Sequence, residues 1–338
     1  MKFRLQLKSL IPAQYAGEAL IDSLVRRFPY HDRDSWLEKI ASGLVLVNAS
    51  VGEPGQVLQL GEEVQFDIPD FYEPDLDTDY RKIWENENLI LVSKPANLPV
   101  HSNHRFFFQN MTALLRRDEN LPELNPMHRL DRETSGLMLF MKQKFKQKRL
   151  RRNPNMIIAE KFYLAVVSGV LTNDYLCVDM PLKEAGCPPV AYKMLPDVSG
   201  KASKTEFYSL GTCNNNSLLL ARLGSGRKHQ IRAHLAYAGF PVVGDKLYSH
   251  DSLYFLKRCK DDLQADDLLK LGAPHQLLHA YSLALDLPDE NRKIFYSSFF
   301  SDAFLSYLET FDGWQGRADA IISKCSADGC DKSLSGEC

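Results

Sequence analysis

Four strongly apolar runs most narrow what this chain can fold into. They are Leu89-Ile90-Leu91-Val92, Gly136-Leu137-Met138-Leu139-Phe140-Met141, Tyr163-Leu164-Ala165-Val166-Val167 and Ser217-Leu218-Leu219-Leu220-Ala221. Each is too short for a helix and is bounded by polar or turn residues, so each reads as a buried strand. Long helical patterns do not alternate regularly with them, which argues against a doubly wound parallel sheet. The predicted class is α+β: a mixed, largely antiparallel β-sheet flanked by helices. One of those helices is expected from about Lys228 to Ala238, with Gly239 as its stop and Pro241 just beyond.

Composition excludes several alternatives. With 338 residues and 44% hydrophobic content, the chain can build a core as one large domain or two smaller ones. No apolar run approaches the ~18 residues of a membrane span, and the alternating start Met1-Lys2-Phe3-Arg4-Leu5 lacks the apolar stretch of a signal peptide. Seven cysteines are scattered without a Cys-x-x-Cys pair, so neither a disulfide framework nor a structural zinc site is expected, and a reducing cytoplasm is the default. A net charge of −2 does not suit a protein that coats nucleic acid by bulk electrostatics, though it leaves room for a local basic surface.

Charge is unevenly distributed. Glu62 to Asp79 holds eight acidic residues, no basic one, and Pro69 and Pro74, which reads as an extended, self-repelling linker. The expected organisation is a small module over 1–68, an acidic linker over 69–80, a large domain over 81–311 and a loosely ordered polar tail over 312–338. In the first module Ala19, Leu20, Leu24 and Val25 recur at helical spacing, as do Trp36, Leu37 and Ile40. Gly43 and the strand Leu44 to Asn48 follow. This layout, with Gly61-Glu62-Glu63-Val64 closing it, resembles the S-four-type RNA-binding domain. The resemblance makes Arg26, Arg27, Arg33 and Lys39 candidate phosphate contacts. From Lys142 to Arg152 seven cations occur without an acid, dense enough to weigh a polyanion-binding surface against a solvated helix face.

Two stretches hold the chemistry. Met127-His128-Arg129-Leu130-Asp131-Arg132-Glu133-Thr134-Ser135-Gly136 packs a histidine, two arginines and two carboxylates ahead of an apolar strand, where the sheet can hold a carboxylate rigidly at a cleft. A surface salt-bridge cluster is the alternative. Gly224-Ser225-Gly226-Arg227-Lys228-His229-Gln230-Ile231-Arg232 places small residues before a basic helix start, a pattern suited to anions. P-loop spacing is absent. His229 and His234 fall about 140° apart on a helix, so one face cannot present both to a metal.

Taken in order, "LILVSKPANLPVH", "HRLDRETSG", "EKFYLAVVSG", "GSGRKHQIRAHLAYAGFPVVGDKLY" and "LLHAYSLAL" resemble the RluA family of RNA pseudouridine synthases over roughly residues 83–288. Ser225 stands where that family usually has Thr and Asn97 where it usually has Gly. The stretch from about His250 to Pro274 is variable.

The resemblance implies isomerisation of specific uridines in structured ribosomal or transfer RNA, with no organic cofactor and no metal. It implies Asp131 as the residue that starts the reaction, by attack on the sugar, attack on the uracil ring, or removal of a sugar proton. Arg232 would be the cation that keeps Asp131 ionised, paired with it bidentately. Tyr163 would stack on the flipped-out uracil and Arg129 would fill the vacated space. His128, Lys161, Arg227 and Lys228 complete the substrate-binding candidates, and the partner is RNA, bound by a monomer. Two other classes compete: a binding protein without catalysis, and a glycoside or nucleoside hydrolase using Asp131 with Glu133.

Overall fold

A computed structural model describes residues 2–103, 105–142, 156–287 and 291–331 of the chain. Most of the basic run from Lys142 to Arg152 therefore lies outside the described residues. The chain divides into two compact units, residues 1–75 with 103–108, and residues 76–102 with 109–338.

The first unit holds β1 (Lys2–Leu10), α1 (Leu20–Arg27), α2 (Arg33–Ala41), β2 (Val45–Val47), β3 (Ser50–Val51) and β4 (Glu63–Tyr72). Its four strands run in the order β1-β4-β2-β3. The apolar positions that give the helical periodicity, Leu20, Leu24, Trp36 and Ile40, are the ones buried against Val45, Val47 and Phe66. Asp32 caps α2 by accepting a hydrogen bond from the Ser35 amide at 2.9 Å.

The acidic run does not behave as a free spacer over 69–73. β4 continues to Tyr72, and the Glu73 side chain is fully buried, accepting hydrogen bonds from the amides of Phe107 at 2.5 Å and Phe108 at 2.8 Å. β1 supplies the countercharges that the local sequence lacks. Lys8 reaches Glu63 at 2.8 Å, Arg4 grips Asp67, and Lys2 approaches Asp70 at 3.4 Å. Cross-strand pairing of opposite charges thus relieves the repulsion that the acidic stretch has on its own.

The second unit is built on a ten-stranded sheet. Its main path is β10 (Tyr175–Asp179), β13 (Lys204–Cys213), β14 (Asn216–Leu223), β9 (Ile158–Ser168), β15 (Leu278–Leu285), β8 (Ser135–Met141), β6 (Leu89–Lys94) and β5 (Arg81–Glu85). β16 (Lys293–Tyr296) pairs with β15 and β7 (Asn125–Pro126) with β8. Among the described residues every pairing in this sheet is antiparallel except β15 with β8, so the sheet is mixed and largely antiparallel. β11 (Leu182–Glu184) and β12 (Met194–Pro196) form a separate ribbon.

Alternation along the central strands explains their unbroken apolar character. Tyr163, Ala165 and Val167 of β9, with Leu219 and Ala221 of β14, join one cluster, together with Met111, Leu114 and Leu115 of α3 (Met111–Asp118) and Ile231 and Leu235 of α4 (Gln230–Tyr237). Phe162, Leu164, Val166, Leu218 and Leu220 join another with α7 (Asp302–Leu308) and α8 (Trp314–Asp331). Helices α5 (Leu253–Cys259) and α6 (Ala265–Leu271) lie between α4 and β15 in sequence. Both faces of the sheet are covered, so neither can be polar.

The expected loose tail over 312–338 is corrected for its described part, and residues 332–338 lie outside the described residues. Trp314, Ala318, Ile322 and Cys325 recur every three or four residues on α8 and are buried with Phe304 and Leu308. The expected helix from Lys228 begins at Gln230, because His229 takes a left-handed backbone at φ +53° and ends the loop first.

Candidate active site

The loop carrying Asp131 is fixed at both ends. On the entering side, β7 pairs with β8, the Met127 amide donates to the Leu139 carbonyl at 2.9 Å, and the Leu139 amide donates to His128 Nε2 at 3.1 Å. On the leaving side, Ser135 starts β8 and shares a 2.8 Å hydrogen bond with His279 Nδ1. Gly136 sits at φ +103° where a Cβ would meet the Ala280 carbonyl oxygen at 2.3 Å, so only glycine lets β8 and β15 approach this closely. Residues 129–134 are thereby held as a short arch at the N-terminal end of β8, an interior strand of the sheet.

Arg232, from α4, meets this arch. Its Nη1 donates to Asp131 Oδ2 at 2.6 Å. Its Nε and Nη2 instead form a bidentate pair with Asp245, at 2.7 and 2.8 Å. The expected bidentate pairing with Asp131 is therefore corrected: the two-pronged contact goes to Asp245, and Asp131 receives a single prong. Side-chain exposure ranks the three groups, with Asp245 at 0%, Arg232 at 8% and Asp131 at 18%. Asp131 is the carboxylate of this trio that faces the cleft.

Ionisation follows from these contacts. Burial pulls the Asp131 carboxyl upward, but Arg232, His229 and Arg129 outweigh it, so the group titrates below the usual carboxylate range. Burial acts on Arg232 in the opposite sense, yet its two carboxylate partners hold its pKa well above the ordinary arginine value. His229 is pushed down to about 4, by burial first and despite the nearby Asp131. It is neutral near pH 7. Its Nε2 lies 3.8 Å from Asp131 Oδ1, and its Nδ1 shares a 3.1 Å hydrogen bond with the Tyr248 hydroxyl.

Asp131 and Arg232 open onto a cavity of ≈ 700 Å³ that Arg129, Lys161, Tyr163, Arg227, Lys228, His229 and Leu278 also line. Its size suits a ligand of nucleotide dimensions, which pockets of about 300–1,000 Å³ accommodate. Tyr163 lines the cavity while only 6% exposed, and its neighbours on the adjacent strands are the small residues Ala221 and Ala280. Lys161, two residues earlier on β9, lies on the same cavity, and burial lowers its pKa. Arg129 is exposed at the rim.

Three substrate-binding candidates are already engaged. His128 lines the cavity but accepts the Leu139 amide, and burial pushes it down to about 3, so it is a neutral loop anchor. Lys228 bonds Glu184 at 2.8 Å and lies over the Tyr192 ring. Arg227 is exposed and donates to the Ala202 carbonyl at 3.1 Å. In the first unit, Arg26 pairs with Glu18 at 2.7 Å, Arg33 with Asp22 at 2.6 Å, and Arg27 with the Ser9 hydroxyl at 2.5 Å.

The hydrolase reading needs Glu133 in the cleft, and Glu133 is elsewhere. It is buried against Lys246 and Arg258 and does not line the cavity. Sequence reasoning missed Asp245 and Lys246. The available signal was a pair of charges directly after a glycine in the otherwise apolar run Phe240 to Tyr248. Lys94 was also passed over. Fully buried, it donates to the carbonyls of Pro95, Leu98 and Arg132, and burial lowers it to about 7.

The matches to known proteins cover this same region. Residues 88–237 fit the family model described as RNA pseudouridylate synthase. Ribosomal large subunit pseudouridine synthase D of Xanthomonas campestris is 31% identical over 82% of this chain and 83% of its own length. The mitochondrial tRNA pseudouridine(32) synthase of Saccharomyces cerevisiae is 27% identical over 71% of this chain, which spans only 52% of the yeast protein's length. The solved structure of human RNA pseudouridylate synthase domain containing 4 superposes with a TM-score of 0.51 at 23% identity, over 68% of this chain and 92% of that one, a likeness of fold. On the strength of ordered motifs, fold and sequence identity over most of its length, the chain belongs to the RNA pseudouridine synthase family, in its RluA type, whose members isomerise uridine to pseudouridine in RNA.

Proposed function

We propose that this protein converts particular uridines of structured ribosomal or transfer RNA to pseudouridine by a base-flipping route that Asp131 initiates. The observation that carries the reading is the 2.6 Å contact between Arg232 and Asp131 on a cavity walled by Tyr163. A buried carboxylate tends to protonate, and a fixed guanidinium is what keeps it ionised and ready to act. Stacked bases are out of reach, so the target nucleotide is everted. Tyr163 offers a flat apolar face, of the kind worth about 1–3 kcal/mol per stacked base. Arg129, at the rim, occupies the gap left in the RNA. Lys161 and Arg227, with Lys228 once it leaves Glu184, contact the RNA around the flipped nucleotide. Isomerisation only rearranges bonds within uridine, so its stoichiometry calls for no oxidant, reductant or group donor.

The relatives' names include a transfer RNA enzyme and a large-subunit ribosomal RNA enzyme, which supports these two substrate classes. Among the described residues no helix is long and apolar enough to cross a membrane. We assign the enzyme to the cytoplasm, as a monomer whose first unit adds RNA contacts. The test is Asp131→Asn assayed by tritium release from carbon 5 of uridine. Turnover should vanish while RNA affinity stays within about tenfold, as expected for a group acting in the transition state. Substantial retained release would remove Asp131 from the mechanism.

A further inference from the structure

Asp245 and Lys246 are consecutive, buried at 0% and 4% exposure, and hold opposite sides of the centre. Asp245 takes Arg232 in the bidentate grip and is itself fixed by the Leu247 and Tyr248 amides, which donate to its Oδ1 at 2.9 and 3.0 Å. Lys246 Nζ donates to both oxygens of Glu133, at 3.1 and 3.2 Å, and to the Pro274 carbonyl at 2.7 Å. Glu133 also receives Arg258 from α5 and the Gln276 amide at 3.3 Å. Glu133 lies two residues from Asp131 on the arch.

The backbone beneath this dipeptide cannot shift easily. Gly244 has φ +78°, and a Cβ there would lie 2.0 Å from the His275 carbonyl oxygen. Adjacent Cα atoms are about 3.8 Å apart, so the two grips are tied by one rigid peptide unit. Three acids, Asp131, Glu133 and Asp245, are met by three cations, Arg232, Lys246 and Arg258. Each such buried ion still costs several kcal/mol of desolvation, and apolar packing is often as stable. The arrangement therefore calls for a role beyond stability.

We propose that Asp245-Lys246 is a clasp that sets the separation of Asp131 and Arg232, Asp245 holding the guanidinium and Lys246 holding the arch through Glu133. Both are positioning residues. The inference rests on Asp131 being the initiating group. The clasp gives α4 and the arch a common anchor, so that neither can drift without breaking a buried ion pair.

The test is the double variant Glu133→Gln/Lys246→Met, which removes both buried charges of one grip and leaves only Arg258, 33% exposed, without its carboxylate. Asp131 is also faced by Arg129 on its own arch, His229 before α4, Lys94 on β6 and Tyr163 on β9, none of which the variant alters. Single-turnover rates at saturating RNA are measured from pH 4 to about 8, with RNA affinity alongside. A loosened arch weakens the Asp131–Arg232 contact, so burial raises the Asp131 pKa. The acid limb should move up by about one pH unit and the plateau rate should fall about 10- to 100-fold, with RNA affinity within about threefold. A rate loss without movement of the acid limb would reveal general destabilisation and overturn the clasp, as would wild-type behaviour. If the double variant does not fold, Glu133→Gln alone, which keeps size and leaves Lys246 its Pro274 carbonyl, is judged by the same two readouts. Loss of activity in Asp131→Asn with an unaltered clasp variant would sink the clasp alone. Activity in Asp131→Asn would sink the initiating role instead.

Discussion

Two arginine–aspartate contacts in this protein have the same length and opposite consequences. In the first unit Arg33 meets Asp22 at 2.6 Å, with both side chains 55% exposed. In the second, Arg232 meets Asp131 at 2.6 Å, with exposures of 8% and 18%. Water and mobile ions screen the first pair, so it contributes little to stability. The second sits where water is largely excluded, and there the guanidinium decides whether the carboxylate is charged. Distance alone does not rank ion pairs. Burial does.

Removing Arg232 should produce the largest effect. Arg232→Met leaves Asp245 buried without its partner, so unfolding by urea should show a loss of about 3–5 kcal/mol. The single-turnover rate should fall by at least about 10²–10³-fold, typical of losing a preorganised charge. A rate within tenfold of wild type would mean that Asp131 stays ionised and oriented without the guanidinium.

The next effect is an acid titration of stability. Asp131, Glu133 and Asp245 are all held below their ordinary pKa: burial raises each, but their cationic partners outweigh it. Their folded-state values therefore lie below the unfolded ones. Their stabilisation is complete above the unfolded carboxylate pKa of about 4 and is lost as pH falls through the folded values. Each unit of depression corresponds to about 1.4 kcal/mol. Urea titrations between pH 7 and about 3 should show this fall, and Arg232→Met should flatten it. Equal slopes in the two proteins would assign the acid sensitivity to other groups.

Arg33→Ala should do least. Its effect on unfolding free energy should stay within about 0.5 kcal/mol and shrink further in high salt. A loss of 2 kcal/mol or more would break the contrast, because an exposed pair would then be acting like a buried one.

The parts of the fold that sequence revealed are those where local pattern and tertiary role agree. β6, β8, β9 and β14 were visible because burial on both faces forces continuous apolar residues. The helices of the first unit were visible because Leu20, Leu24, Trp36 and Ile40 are both periodic and buried. What escaped notice depends on distant partners. β1 is exposed along most of its length, and its cations gain meaning only opposite Glu63, Asp67 and Asp70. The helix α8 buries a narrow stripe among small and polar residues, so its composition resembles that of a loose tail. His128 and Lys228 have suitable chemistry by type, yet each is already hydrogen-bonded within the fold, to the Leu139 amide and to Glu184.

The candidate site divides the same way. Asp131 and Arg232 lie in charge-dense stretches of the sequence, whereas Tyr163 is singled out only by the family resemblance, and the fold brings all three to one cavity. Asp245 and Lys246 do not stand out, since their roles rest on partners 13 and 113 residues away. By itself the sequence determined the apolar strands, the family and the residue types available for chemistry, because those depend on periodicity and order along the chain. Only the tertiary structure decided which carboxylate faces the cleft, which is locked away, and how Arg232 divides its donors. Those outcomes depend on burial and on through-space charge, neither of which is a property of neighbouring residues.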